Sequence, residues 1–141
     1  MSAPDEVPVV QPSHQERLIL IIEDDVPIAE ALALLIEDLG YTPVIATDGL
    51  SGLELARRHQ PLLILTDLML PKLSGQQVIA QFRAEQAAQE NSVPPIVIVT
   101  AAGRHQAREA GGDAFILKPF ELETAEATLQ RLLKTDHQQS R

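Results

Sequence analysis

The chain has 141 residues, 45% of them hydrophobic and 22% charged, with a formal charge of −9 at pH 7 and no cysteine. That length suits one domain with a sizeable core. The acidity argues against sequence-independent nucleic-acid binding, which depends on Lys and Arg neutralising phosphates, and the missing thiols exclude disulfides and thiolate metal sites. No apolar run in the sequence approaches a membrane span, and the first residues lack the basic and apolar regions of a secretory signal. The expectation is a cytoplasmic protein without nucleic-acid or membrane partners.

Residues 1–16 hold three prolines and no periodicity, which reads as a tail preceding a domain over 17–134. Leu18 to Ile22 is an unbroken apolar run, too short for a helix and rich in isoleucine, so it reads as a strand buried on both faces. It stops at Glu23-Asp24-Asp25. Pro27 then suits a first helical turn, and Ile28, Leu32, Leu35, Ile36 and Leu39 recur at helical spacing before Gly40. In the next run, Tyr41 to Ala46, Pro43 cannot donate to a central ladder, which assigns this strand to a sheet edge.

Asp48 is placed to cap a short helix carrying Leu50, Leu53 and Leu55 and ending before Pro61. Leu62 to Leu65 forms a second fully apolar run, which delivers Thr66 and Asp67 to its C-terminal end. Val78, Ile79 and Phe82 mark a third helix, Ile96 to Thr100 a fourth strand, and Ala114 to Leu117 a fifth strand ending in Lys118-Pro119. A last amphipathic helix carries Leu122, Ala125, Leu129, Leu132 and Leu133, with residues 135–141 expected as a polar C-terminal tail. Strands alternating with helices at this spacing imply right-handed crossovers and a parallel sheet covered on both faces.

In such sheets ligands gather outside the C-terminal ends of the strands. Four ends supply polar groups there: Glu23, Asp24 and Asp25; Asp67; Thr100; and Lys118. Taken singly, each has a structural explanation, and Asp25 is best explained as a helix cap. Their coincidence at one sheet edge is the informative feature. Carboxylates about 4 Å apart repel by up to roughly 4 kcal/mol per pair at an effective dielectric near 20. Lys118 offsets part of that repulsion, and an all-oxygen cluster suits a hard divalent ion, Mg²⁺ better than Zn²⁺.

These residues resemble the response-regulator receiver domains of two-component signalling, the CheY-like family, over roughly Leu18 to Leu133. The resemblance rests on the joint pattern of an acidic pair after the first strand, Asp67 followed by Pro71 and Gly75, Thr100-Ala101, and Lys118-Pro119-Phe120. It implies a flavodoxin-like, doubly wound five-stranded α/β sheet of order 2-1-3-4-5. It further implies that Asp67 is the phosphoacceptor. Asp24 and Asp67 would bind Mg²⁺ directly, Glu23 through water, and Met69 through its backbone carbonyl. Lys118 would neutralise the phosphoryl group, while Thr100 and Phe115 would act as the switch pair. A cis Lys118-Pro119 bond belongs to the same expectation, as do a sensor histidine kinase or histidine phosphotransfer protein as donor and a downstream protein target.

The chain departs from the family pattern in places. The segment from Thr100 to Gly111 is about one turn short, which predicts a shortened fourth helix, and Phe115 stands where tyrosine is frequent. Met69 and Ala102 offer no polar side chain to orient an attacking water, which predicts a long-lived phosphoryl group. The main reading is a stand-alone signalling receiver whose only catalysis is its own phosphotransfer and dephosphorylation. The alternatives are a Mg²⁺-dependent phosphohydrolase with an aspartyl nucleophile, disfavoured by Met69 where such enzymes carry a second aspartate, and a degenerate receiver that only binds a partner.

Overall fold

The computed structural model describes residues 17–139, with side chains described through Lys134. The expected tail over 1–16 lies outside the described residues. Five strands and five helices alternate: β1 (Leu18–Ile22), α1 (Val26–Asp38), β2 (Thr42–Ala46), α2 (Gly49–His59), β3 (Leu63–Thr66), α3 (Gly75–Ala88), β4 (Ile96–Thr100), α4 (Arg104–Glu109), β5 (Ala114–Leu117) and α5 (Leu122–Gln139). The strands form one parallel sheet of order β2-β1-β3-β4-β5. β2 lies at the edge, with Pro43 opposite Ile19, as its proline requires.

The continuous apolar runs follow from double coverage. Along β1, Ile19 and Ile21 pack with Ala29, Leu32 and Ile36 of α1 and with Ala125 and Leu129 of α5. Leu20 and Ile22 point the other way, into Leu53 of α2, Val78, Ile79 and Phe82 of α3 and Ala107 of α4. A strand with period-two side chains between two helical layers has no solvent face, so polar residues appear only where it ends.

The helix starts are specified locally. Asp25 Oδ1 accepts from the Ile28 amide at 3.3 Å, and Asp48 Oδ1 from the Ser51 amide at 2.7 Å. Ser74 and Gln77 form a reciprocal capping box at the head of α3. α4 has only six residues and begins at Gly103 with no side-chain cap, matching its expected shortness. α5 continues past Lys134 to Gln139, where the sequence reading places a polar tail. Polar composition marks an exposed face and does not by itself end a helix.

Candidate functional site

The sheet register sets the site. Ile22 lies beside Thr66, Thr66 beside Ile98, and Thr100 beside Leu117. The residues one step beyond each strand therefore share an edge, and the ladder extends to hold them. Glu23 N–H donates to Ala46 O at 2.9 Å, Asp67 N–H to Ile22 O at 3.0 Å, and Lys118 N–H to Thr100 O at 2.9 Å. Glu23 and Asp67 thus start from adjacent, hydrogen-bonded backbone, and Lys118 reaches them from the end of β5, two strands from β3 and three from β1. The Lys118-Pro119 peptide is cis.

The side chains converge as the strand ends imply. The Lys118 ammonium donates to Asp67 Oδ2 at 2.8 Å and stands 2.9 Å from Glu23 Oε1. Asp67 Oδ1 accepts from the backbone amides of Leu68 at 2.6 Å and Met69 at 3.3 Å. Glu23 Oε2 accepts from the Asp25 amide at 3.2 Å. Carboxylate oxygens of Glu23, Asp24 and Asp67 lie within 4.8 Å of one another. Glu23 is 1% exposed and Asp67 6%, whereas Asp24 is open to solvent.

Burial, the largest influence on Glu23, raises its pKa above the ordinary carboxylate value. The Lys118 and Asp25 contacts oppose that shift without cancelling it. For Lys118 burial alone would lower the pKa, but hydrogen bonds and charge from Asp67 and Glu23 outweigh it, and the net shift is upward. The lysine is therefore held charged while the more deeply buried of its two carboxylates carries the cost of desolvation.

These residues fit a hard divalent ion. All donors are oxygens, and the cluster sums to −2 when three carboxylates face one ammonium. Glu23 Oε1 is buried and has no donor beside it other than the Lys118 ammonium at 2.9 Å, which leaves it open to a cation. An octahedral ion with bonds of ~2.1 Å spans ligand oxygens about 4.2 Å apart at most, so the cluster is already nearly ion-sized.

The remaining predicted residues take up surrounding positions. Thr100 is fully buried at the end of β4, and its Oγ1 accepts from the Ala102 amide at 3.2 Å. Met69 is 69% exposed in the loop after β3. Phe115 is partly buried, with the guanidinium carbons of Arg104 and Arg108 on α4 at 5.7 and 6.0 Å from its ring centroid. Sequence reasoning missed the Lys118–Glu23 pair and the role of Gly75. The Gly75 N–H donates to Leu68 O at 2.8 Å, and a Cβ there would sit 2.1 Å from Asp67 O. The Gly after Asp67 was visible as a turn signal, but the backbone it packs against was not.

Residues 19–130 match the family described as the response regulator receiver domain. The chain is 36% identical over 120 residues to the DNA-binding dual master transcriptional regulator RpaA of Synechocystis, covering 82% of this chain and 48% of that protein. It is 35% identical over 126 residues to the response regulator ArlR of Staphylococcus saprophyticus, covering 86% and 54%. It therefore spans about half the length of these curated relatives. Among solved structures, it resembles the receiver domain of a sensor histidine kinase from Pseudomonas aeruginosa PAO1 with a magnesium ion coordinated in its active site cleft (27% identity, TM-score 0.73, covering 84% and 98%). It also shares its fold with a CheY-like receiver domain protein from Methanospirillum hungatei JF-1 (23% identity, TM-score 0.76, covering 88% and 98%).

These relatives correct one expectation. The acidity of the chain was read as excluding nucleic acid as a partner, yet a relative is a DNA-binding transcriptional regulator. Net charge describes only the part of such a protein that is in view, and a receiver half need not carry the basic surface that contacts phosphates. No helix among the described residues is long and apolar enough to cross a membrane. With this family matched over residues 19–130 and the parallel sheet in the same 2-1-3-4-5 order expected of it, the chain belongs to the response regulator receiver domains.

Proposed function

We propose that Asp67 is a phosphoacceptor and that the chain is a signalling receiver whose phosphorylation changes a protein-binding surface. The observation that carries this reading is the 2.8 Å contact between Asp67 Oδ2 and the Lys118 ammonium, beside a carboxylate cluster sized for a divalent ion. In the proposed transfer, an Asp67 oxygen forms a bond to phosphorus as the P–N bond of a phosphohistidine breaks, and the leaving imidazole takes up a proton. Phosphoryl transfer is catalysed chiefly by positioning and by neutralising charge on the transferring group.

Each residue contributes one part. The Leu68 and Met69 amides orient the Asp67 carboxylate, and Lys118 supplies a fixed positive charge next to it. Glu23, Asp24, Asp67 and the Met69 carbonyl would hold Mg²⁺, which when bound draws negative charge off the phosphoryl oxygens. The Thr100 hydroxyl, now accepting from Ala102, is free to rotate and donate its proton toward a phosphoryl oxygen. Phe115, on the neighbouring strand and flanked by α4, would report that movement at the surface. The relatives, a DNA-binding transcriptional regulator and a response regulator, are roughly twice this length, which supports a role in passing phosphorylation to an output segment or partner.

Incubation with Mg²⁺ and a small-molecule phosphodonor, followed by intact mass measurement, tests the reading. The expected result is one phosphoryl adduct on the wild type and none on Asp67→Asn. Continuous phosphate release without an adduct would identify a phosphohydrolase, and no reaction a binding module; either outcome overturns the proposal.

A further inference from the structure

The loop after β3 is bound to the head of α2 as well as to the sheet. Pro71 O accepts two backbone hydrogen bonds, from Leu73 N–H at 2.8 Å and from Gly49 N–H at 3.1 Å. The first closes a three-residue turn around Lys72, whose φ of 73° matches the rarer γ-turn with a central φ of about +75°, a conformation that costs free energy unless its surroundings enforce it. The second comes from the first residue of α2. Gly49 is buried, and a Cβ there would lie 1.9 Å from Leu73 O and 2.7 Å from Leu73 C, both backbone atoms that cannot swing aside.

That helix start is itself fixed. Asp48 accepts from the Ser51 amide at 2.7 Å and the Ser51 hydroxyl at 3.1 Å, and the Lys72 ammonium lies 4.0 Å from Asp48 Oδ2. At the other end of the loop, Gly75 N–H donates to Leu68 O. The segment between Asp67 and α3 is thus clamped at both ends by backbone contacts that tolerate only glycine, and Met69 sits between the clamps.

We propose that Gly49 is a positioning residue for the phosphoacceptor site, holding the 69–73 loop against the acidic cluster through its contact with Pro71 and Leu73. The inference rests on the reading of Met69 as a carbonyl ligand in that site. The near end of the loop is held by Leu68 in the core and by the Met69 amide on Asp67 Oδ1, and Leu70 and Leu73 pack against the same core. Pro71 and Lys72 face solvent, and the Gly49 N–H is the backbone contact that ties the Pro71 turn to α2. By thermodynamic reciprocity, if the α2 contact strengthens Mg²⁺ binding, Mg²⁺ binding must strengthen the α2 contact by the same factor.

The test measures Mg²⁺ affinity calorimetrically on wild type, Gly49→Ala and Gly112→Ala. Gly112 precedes β5 at the opposite edge of the sheet, where a Cβ would meet Ile98 Cγ1 at 2.7 Å and Ile96 O at 3.0 Å; this variant controls for loss of stability alone. The expected result is about a 10-fold weaker Mg²⁺ affinity in Gly49→Ala, the scale of losing a support behind a metal ligand, and near-wild-type affinity in Gly112→Ala. Equal affinities in the two variants would overturn the proposal. If wild type itself binds no Mg²⁺, the functional reading falls and this inference with it. A second measurement on wild type decides the case even where Gly49→Ala fails to fold: saturating Mg²⁺ should slow hydrogen exchange of the Gly49 amide several-fold. An unchanged exchange rate with Mg²⁺ bound would refute it.

Discussion

Lys118 and Asp67 lie 51 positions apart in the chain and meet at 2.8 Å, with the same ammonium 2.9 Å from Glu23. One cation thus bridges two buried carboxylates at the point where three strands end. Replacing it with the uncharged Lys118→Gln leaves the carboxylates facing one another, so Mg²⁺ should bind several-fold tighter while phosphorylation slows by about 10²-fold, the usual scale for losing a fixed charge at a developing anion. Calorimetry and adduct formation over time check the two directions. The lysine's pKa is raised on folding, so its stabilising contribution is full below its unfolded value and fades as pH rises through the folded one. The wild type should therefore lose more melting temperature at alkaline pH than the variant does.

Glu23 has the same direction of pH dependence as Lys118 in a lower window, because its ionised form is the costly one. Its folded pKa is raised, so between the ordinary value of 4.5 and the raised one the folded state holds more proton, and stability falls as pH rises through that window. Above it the ionised, 1% exposed carboxylate is a standing cost in the metal-free protein. Glu23→Gln should raise the metal-free melting temperature at pH 7 by about 2–4 °C and lose that advantage near pH 4. A lower melting temperature at pH 7 would show that the Lys118 contact outweighs desolvation.

Mg²⁺ itself should stabilise the protein. At 100 times its dissociation constant a ligand specific for the folded state adds ~2.7 kcal/mol, visible as a rise in melting temperature. Asp24→Asn should blunt that rise, because Asp24 is the exposed member of the cluster and contributes charge without any buried packing. A full response in the variant would remove Asp24 from the metal site.

Gly75→Ala tests how closely α3 is docked on the Asp67 backbone. Its Cβ would fall 2.1 Å from Asp67 O and 2.8 Å from Leu68 Cα, so either the helix or the Asp67 backbone must move. The expected cost is about 1–3 kcal/mol in denaturant unfolding, together with slowed phosphorylation. Unchanged stability would mean that the head of α3 is not tightly docked on Asp67.

A phosphoryl group on Asp67, the proposed acceptor, should be long-lived. Met69, exposed on the loop two residues after Asp67, offers no group to orient an incoming water. Met69→Asn should hasten loss of the phosphoryl adduct, followed by intact mass against time. Equal decay would place control of the lifetime elsewhere.

The chain's own residue order settled most of the secondary elements and their stacking, though not the run of α5 past Lys134. Strands covered on both faces must be apolar throughout, so Leu18 to Ile22 and Ile96 to Thr100 are legible without coordinates; Pro43 marks the edge, and Asp25 and Asp48 announce the helices they cap. These signals are local, carried by residues within a few positions of one another. The polar tips of the strands were legible as candidates for the same reason. Which oxygen faces which donor was not: the bridging of Glu23 and Asp67 by Lys118, and the backbone approaches of Gly49 to Leu73 and Gly75 to Asp67, join segments far apart in the chain. Only the packed sheet and its two helical layers fix such distances, because loop closure and side-chain packing, and not residue type, decide which distant groups come to share a few ångströms.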